Sequence, residues 1–502
     1  MLASLPGTTL PDQTVRWLEK GLAGVLLFAR NIPDAAAFQR LCAAIREVKP
    51  DALVALDEEG GEVTRLEART GSSWPGARVL GVVDDTALTA EVAVRLAASL
   101  LAGGANVNLA PVADVATGTT NPVIGNRSFG GDASLVGRHV VAWVRASQAA
   151  GVAACAKHFP GHGAAGADSH LELPTVDLSR EAIAETHVAP FEAAVDAGLA
   201  MLMTAHVRFP ALDERPATLS PTILDGLARK QLGFEGVIVT DALGMGAIAR
   251  YGGVVDGAAA AIAAGADLLC VDVDLELQQQ VLAGLEDAWR SGQLSMGRVE
   301  SAVARVGHLA ERFAPPAAGG PTQAFPTSNF EVGLEAARRA LRASSLPPLV
   351  GAAPFIVELS TRSTVGGDGP APGWGPRLGE SPGDGAPGGP ESPPEGPVRM
   401  RLLDAFRRRD PCANGTAPDQ GATAADVLTM AGARPLVLAT RDARRNAEQA
   451  RLVAEVTAAR PDAVVVALGS EADAELAPGR TVPARGSAPP NLVAAAEALT
   501  SP

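Results

Sequence analysis

Seven short apolar runs, separated by segments of helical length, constrain this chain more than any other feature. They are Gly24–Phe28, Ala52–Leu56, Asn106–Leu109, Val152–Ala156, Leu199–Met203, Gly236–Val239 and Asp267–Val271. Most are continuously apolar, the pattern of parallel strands buried on both faces, and not the alternation of a half-exposed sheet. The intervening segments carry helical signals. Ala133, Val136, Val140, Trp143 and Val144 make one apolar stripe. Ser220-Pro221 ahead of Ile223–Gly233 reads as a cap, a proline in the first turn and a terminating glycine.

Repeated β-α units close either into a barrel or into an open doubly wound sheet. Many of the runs end at or near a polar residue: Asp57, Lys157-His158, His206, Asp241 and Asp272. Chemistry spread over many strand ends belongs to a (β/α) barrel. A doubly wound sheet gathers it at one switch point, usually beside a glycine-rich turn, and no GxGxxG follows a strand here. A TIM-like (β/α) barrel over residues 1–312 is therefore expected, with an eighth strand still to be placed. Residues 313–330, opening with Ala-Pro-Pro-Ala-Ala-Gly-Gly-Pro after Phe313, read as a linker. Residues 331–502 read as a smaller α/β domain. Its strands are expected at Phe355–Leu359, Pro435–Thr440 and Ala463–Leu468, and its helices at Asp442–Arg460 and Asn491–Leu499. Within it, the Gly-, Pro- and Glu-rich stretch 366–397 lacks the apolar residues to pack and reads as a loose or disordered loop.

The 502 residues carry a formal net charge of −14, and the longest basic run is Arg407-Arg408-Arg409. That balance argues against a nucleic-acid partner, which needs a basic face. The four cysteines, Cys42, Cys155, Cys270 and Cys412, form no CxxC pair and suggest neither a disulfide framework nor a zinc ribbon. The N-terminus lacks the pattern of a signal peptide, and no run approaches the ~18 apolar residues of a membrane span. A cytoplasmic protein without a membrane partner is expected.

Three segments could carry chemistry. Five of the seven histidines fall between His158 and His206, most densely in Lys157-His158-Phe-Pro-Gly-His162-Gly-Ala-Ala-Gly-Ala-Asp168-Ser169-His170. Its glycines suggest a mobile loop. In an extended segment Asp168 and His170 would point to the same side, and a carboxylate that fixes an imidazole tautomer makes a general acid/base. His158-x3-His162 could instead ligate a metal, although no third ligand follows at a familiar spacing, and structural histidines are a further alternative. The second segment is Asp57-Glu58-Glu59-Gly60-Gly61-Glu62-Val63-Thr64-Arg65. It is either a solvated acidic turn or a buried cluster whose carboxylates need cations, with Arg65 and Lys157 available. The third is Thr240-Asp241-Ala-Leu-Gly244-Met245-Gly246, where Asp241 could be a nucleophile, a base, a ligand or a helix cap.

Taken together these stretches resemble glycoside hydrolase family 3, in its β-N-acetylhexosaminidase branch. The matching pieces are DEEGGEVTR at 57–65, NVNLAPVADV at 106–115, NPVIGNRSFG at 121–130, KHFPGHGAAGADSH at 157–170, TAHV at 204–207 and VTDALGMGAI at 239–248. The second domain is similar to the α/β sandwich of many members. The resemblance implies Asp241 as nucleophile, His170 as acid/base and Asp168 as its partner. It implies Asp57, Arg65, Arg127, Lys157 and His158 as residues that hold the sugar. Glu58 stands where the family usually has Gln, and Glu62 where it usually has Arg. Gly244 and Gly246 stand where bulkier or polar residues are common. The implied activity is retaining, exo-acting hydrolysis of terminal N-acetyl-β-glucosaminides, from peptidoglycan fragments, chitooligosaccharides or glycoconjugates, with no metal or organic cofactor. A β-glucosidase or β-xylosidase of the same family, or a phosphorylase, is the alternative.

Overall fold

The computed structural model describes residues 1–118, 121–314, 330–341, 349, 353–359, 400–417, 422–441, 443, 446–469 and 471–500. The chain forms two compact units. One comprises Met1–Leu66 with Leu80–Ser328, the other Glu67–Val79 with Asn329–Pro502.

The first unit is a closed barrel of eight parallel strands: β1 (Leu2–Ser4), β2 (Gly24–Leu27), β3 (Leu53–Leu56), β4 (Val107–Asn108), β5 (Ala153–Phe159), β6 (Met201–Thr204), β7 (Val237–Ala242) and β8 (Leu268–Val271). All seven expected runs are strands. The eighth is β1, which closes the ring by pairing Leu2 with Gly24 on one side and with Cys270 on the other. Its three residues end just before Pro6 and are too short to stand out as a run.

Alternation along the strands explains why the runs are continuously apolar. Leu2, Leu26, Leu53, Ala55, Val107, Cys155, Met201, Met203, Val239 and Cys270 share one buried cluster inside the barrel. Their neighbours Ala3, Val25, Leu27, Val54 and Leu56 point outward into a second cluster with Trp17, Phe38, Leu41 and Ile45 of the surrounding helices. Each buried Leu or Val contributes roughly 1.5–3 kcal/mol, which favours apolar residues on both faces of the runs. Phe313 is also buried among the inward residues, beside Leu309. The barrel therefore runs past the expected boundary at 312. Asn106 Nδ2 holds it there by donating to the Phe313 carbonyl at 3.1 Å.

The helix Ala133–Ala149 buries Val136, Val140, Trp143 and Val144 as its stripe predicts. The helix Thr86–Gly103 departs from expectation, because it is long and apolar enough to cross a membrane. Here Asp85 caps its start, Gly104 ends it in a left-handed conformation, and Val92, Leu96 and Leu100 are buried within the unit.

The second unit holds a five-stranded parallel sheet: β9 (Phe355–Glu358), β10 (Asn414–Thr416), β11 (Leu436–Thr440), β12 (Val464–Ala467) and β13 (Thr481–Pro483), in the order β10-β9-β11-β12-β13. Ile356, Val437 and Val466 face helices Phe330–Leu341, Leu402–Arg409 and Pro489–Thr500, while Val357, Leu438 and Val465 face helices Ala424–Ala431 and Ala447–Ala459. Helices thus cover both faces, as in an α/β sandwich. The stretch 366–397 and most of the expected linker lie outside the described residues.

Candidate active site

At the C-terminal ends of the strands, three charged networks meet. The first grows from the turn after β3. The Asp57 carboxylate accepts from Lys157 Nζ at 2.7 Å and from Arg65 Nη2 at 3.0 Å. Lys157 also meets Glu59 Oε1 at 2.7 Å, and Arg127 donates to both oxygens of Glu59, at 3.0 and 2.8 Å. Glu58 turns inward, its Oε2 accepting from the amides of Arg65 and Leu66 at 2.8 and 3.0 Å. Glu58 is 1% exposed and Glu59 6%, so this is a buried ion cluster and not a solvated acidic turn.

Burial by itself would raise the pKa of both carboxylates. For Asp57, Lys157 and Arg65 outweigh burial and hold it well below the usual range. For Glu59, Arg127 and Lys157 hold it at about 2. Burial would strip Lys157 of its proton, but Asp57 and Glu59 raise it instead. Asp57, Glu59, Lys157 and Arg127 are thus all charged at neutral pH.

The second network centres on Asp114, which follows β4. His158 Nδ1 donates to Asp114 Oδ2 at 2.7 Å, and the His158 amide is 3.2 Å from each carboxylate oxygen. The His162 amide donates to Oδ1 at 2.5 Å. His162 is a brace: its Nε2 meets Ser169 Oγ at 3.1 Å, and burial pushes its pKa down to about 4, so it is neutral. Among the described residues no group of three His, Cys, Asp or Glu could hold a metal ion. Cys42, Cys155 and Cys270 are buried free thiols, and Cys412 is exposed.

The third network brings the dyad to Asp241. Asp168 Oδ1 accepts from both the His170 amide, at 2.9 Å, and His170 Nδ1, at 2.7 Å. The pairing does not arise from an extended segment. The Leu171 and Glu172 amides donate to the Asp168 carbonyl at 2.9 and 3.0 Å, so the chain is a turn that the aspartate side chain closes on itself. Asp241 lies at the end of β7. Burial opposes its charge, but His158, His206 and His170 hold its pKa below the ordinary carboxylate value. It is not a helix cap, since the next helix begins at Gly246 and is preceded by Met245.

The barrel therefore places Asp57, Arg65, Arg127, Lys157, His158, Asp168, His170 and Asp241 around one mouth. Four more residues stand there that were not expected among the catalytic or sugar-holding residues. Glu59 bridges Lys157 and Arg127, and Asp114 anchors His158. His206 Nε2 holds the Ala242 carbonyl at 3.0 Å, and Asp272 Oδ2 accepts from the Gly244 amide at 2.7 Å. Burial raises the Asp272 pKa against that hydrogen bond. The available signal was their position at strand ends, together with the two extra carboxylates beside Asp57.

A closed (β/α) barrel whose C-terminal mouth gathers charged groups of both signs, Asp241 and the His170–Asp168 pair among them, has the arrangement of a barrel enzyme. The model of the glycosyl hydrolase family 3 N-terminal domain matches residues 7–309, and the chain belongs to that family. Among relatives, a protein named Beta-hexosaminidase from Thiobacillus denitrificans is 38% identical over 58% of this chain and 82% of its own length. One named Beta-hexosaminidase A from Pseudoalteromonas piscicida is 34% identical over 60% of this chain, but the match spans only 55% of that protein. Among solved structures, a family 3 β-N-acetylglucosaminidase from Paenibacillus sp. str. FPU-7 is 31% identical, with a TM-score of 0.84 over 99% of this chain and 94% of the other.

Proposed function

We propose that this chain is a retaining β-N-acetylhexosaminidase that removes terminal N-acetyl-β-glucosaminyl residues through a covalent intermediate on Asp241. The observation that carries the reading is the His170–Asp168 hydrogen bond at 2.7 Å on a loop whose imidazole acts electrostatically on Asp241. The names of the relatives and of the solved neighbour support the sugar class.

In the first step an Asp241 oxygen attacks the anomeric carbon. The glycosidic bond breaks and its oxygen takes a proton from His170 Nε2. Asp168 holds the Nδ1–H, which leaves Nε2 as the reacting nitrogen. In the second step neutral His170 takes a proton from water. That water attacks the anomeric carbon and releases Asp241, so configuration is retained. Asp57, Lys157, Arg65, Arg127 and His158 are proposed to hold the sugar, Asp57 accepting from its hydroxyls. Neither step calls on a metal or an organic cofactor.

Hydrolysis of 4-nitrophenyl N-acetyl-β-glucosaminide should far exceed that of the matching glucoside, and a fluorinated N-acetylglucosaminyl donor should label Asp241. Preference for the glucoside, a sugar 1-phosphate as product when phosphate is added, or labelling of another carboxylate would each overturn the corresponding part of the reading.

A further inference from the structure

The turn after β7 ties three parts of the barrel mouth together. On one side it is fixed to β8, where the Leu243 amide donates to the Cys270 carbonyl at 3.1 Å and the Gly244 amide to Asp272 Oδ2 at 2.7 Å. On the other side it receives the dyad loop. The Gly246 amide donates to the His170 carbonyl at 3.1 Å, and the Ala247 amide to the Ser169 carbonyl at 3.2 Å. In this chain the approach is this close because position 246, where bulkier or polar residues are common in the family, carries no side chain. A Cβ at position 246 would stand 2.7 Å from the His170 oxygen and 2.8 Å from the Leu171 oxygen, inside any normal carbon–oxygen contact. The backbone at 246 is helical, so the space, and not the torsion, demands glycine.

The geometry points to Gly246 as a positioning residue for His170: the bare backbone of the turn that follows Asp241 is the seat on which the dyad loop rests. The inference builds on the reading of His170 as acid/base. His170 is then held at two points. Asp168 sets its ring, and Gly246 sets its backbone against the strand that carries Asp241. Two main-chain hydrogen bonds thus tie the loop that carries His170 to the turn that follows Asp241.

The test is Gly246→Ala, assayed beside His170→Ala on two substrates. One is an N-acetyl-β-glucosaminide of a sugar alcohol, whose leaving group needs a proton, and the other is the 4-nitrophenyl glycoside. The added methyl must push the loop outward, and a displacement near 1 Å can cost about 100-fold in rate. Gly246→Ala should lower kcat on the first substrate roughly 10- to 100-fold and slow glycosylation by the second by a few-fold at most. KM for the first substrate and the rate of labelling by a fluorinated donor with a good leaving group should stay near wild type. A purely structural role would lower both substrates and the labelling together, and that result, or wild-type kinetics throughout, overturns the inference. If Gly246→Ala lacks the leaving-group dependence while His170→Ala shows it, the seat fails and the acid/base reading stands. If His170→Ala itself lacks the dependence, the acid/base reading fails and takes the seat with it. Should Gly246→Ala not fold, amide exchange in the unaltered protein decides: slow exchange at Gly246 and Ala247 supports the seat, and exchange at the rate of free amides refutes it.

Discussion

His170 uses one ring nitrogen for Asp168 and, among the described residues, forms no other side-chain hydrogen bond, so Nε2 is left for a substrate. Its side chain is 25% exposed whereas Asp168 is 9% exposed, a difference that suits the proposed roles of an imidazole meeting a leaving group and a carboxylate orienting it. The prediction at this scale follows from leaving-group chemistry. General acid catalysis is worth on the order of 10²–10⁴, but only where the departing oxygen needs the proton. His170→Ala should lower turnover of a natural disaccharide by that order. With a nitrophenyl glycoside the first step survives, the second slows, and the glycosyl-enzyme accumulates. Azide, which needs no base, should then restore turnover and give a glycosyl azide of retained configuration. Asp168→Ala should be milder, because the imidazole remains but loses its fixed tautomer. Equal losses on both substrates without azide rescue would make His170 a binding or structural residue.

At the scale of elements, the turn after β3 is the most heavily charged part of the site. Lys157 sits between Asp57 and Glu59, and Arg127 grips Glu59 with two nitrogens. Removing one member of a buried ion cluster leaves the others uncompensated, which costs roughly 3–5 kcal/mol. Glu59→Gln should be destabilised by about that much in urea unfolding at neutral pH. The pH dependence has a definite sign. Folding lowers the Glu59 pKa from 4.5 to about 2, so its contribution is complete above about 4.5 and disappears as the pH falls to about 2. Unfolding free energies measured across that window should fall less steeply for Glu59→Gln than for the unaltered protein. An unchanged slope would mean that Glu59 is not the titrating group. These contacts also show where sequence reading stops. Seven of the eight barrel strands were legible because a run buried on both faces is mostly apolar, whereas β1 is too short to make such a run. Asp57, Lys157, His170 and Asp241 were legible because each lies near the point where such a run ends or in the loop that follows. The Arg127–Glu59 and His158–Asp114 pairs were not, since Arg127 lies 68 residues from Glu59 and His158 lies 44 from Asp114, and only the closed barrel brings them together. The Asp168–His170 pair was found, but its cause is a side-chain-closed turn that a two-residue alternation cannot reveal.

At the scale of the whole molecule, the chain path differs from a simple succession of two domains. Glu67–Val79 leaves the barrel unit directly after Leu66 and belongs to the second unit, and the chain returns to the barrel at Leu80. Within that second unit Gly71, at a φ of +85°, lies where a Cβ would be 2.7 Å from Pro489, and a Cβ on Gly333 would be 2.2 Å from the Ser73 carbonyl. Ser72, Ser73 and Trp74 are all buried. Composition could not disclose this, because the segment carries no linker signal and its partners lie beyond residue 329. A chain ending at Ala314 keeps all eight barrel strands and every residue proposed for catalysis or sugar binding. It loses the residues against which Glu67–Val79 packs. The expected outcome is a folded barrel in which this segment alone has come loose. Limited proteolysis should then cut the shortened chain between Glu67 and Val79 and leave the full chain intact there, since cleavage needs backbone freed from burial and hydrogen bonding. The cut site lies next to Arg65, which grips Asp57, and Leu66, whose amide binds Glu58. The shortened enzyme should therefore still be labelled at Asp241 by a fluorinated donor, while its KM rises more than its kcat falls. Resistance of residues 67–79 in the shortened chain would show that the barrel holds the segment without help from the second unit.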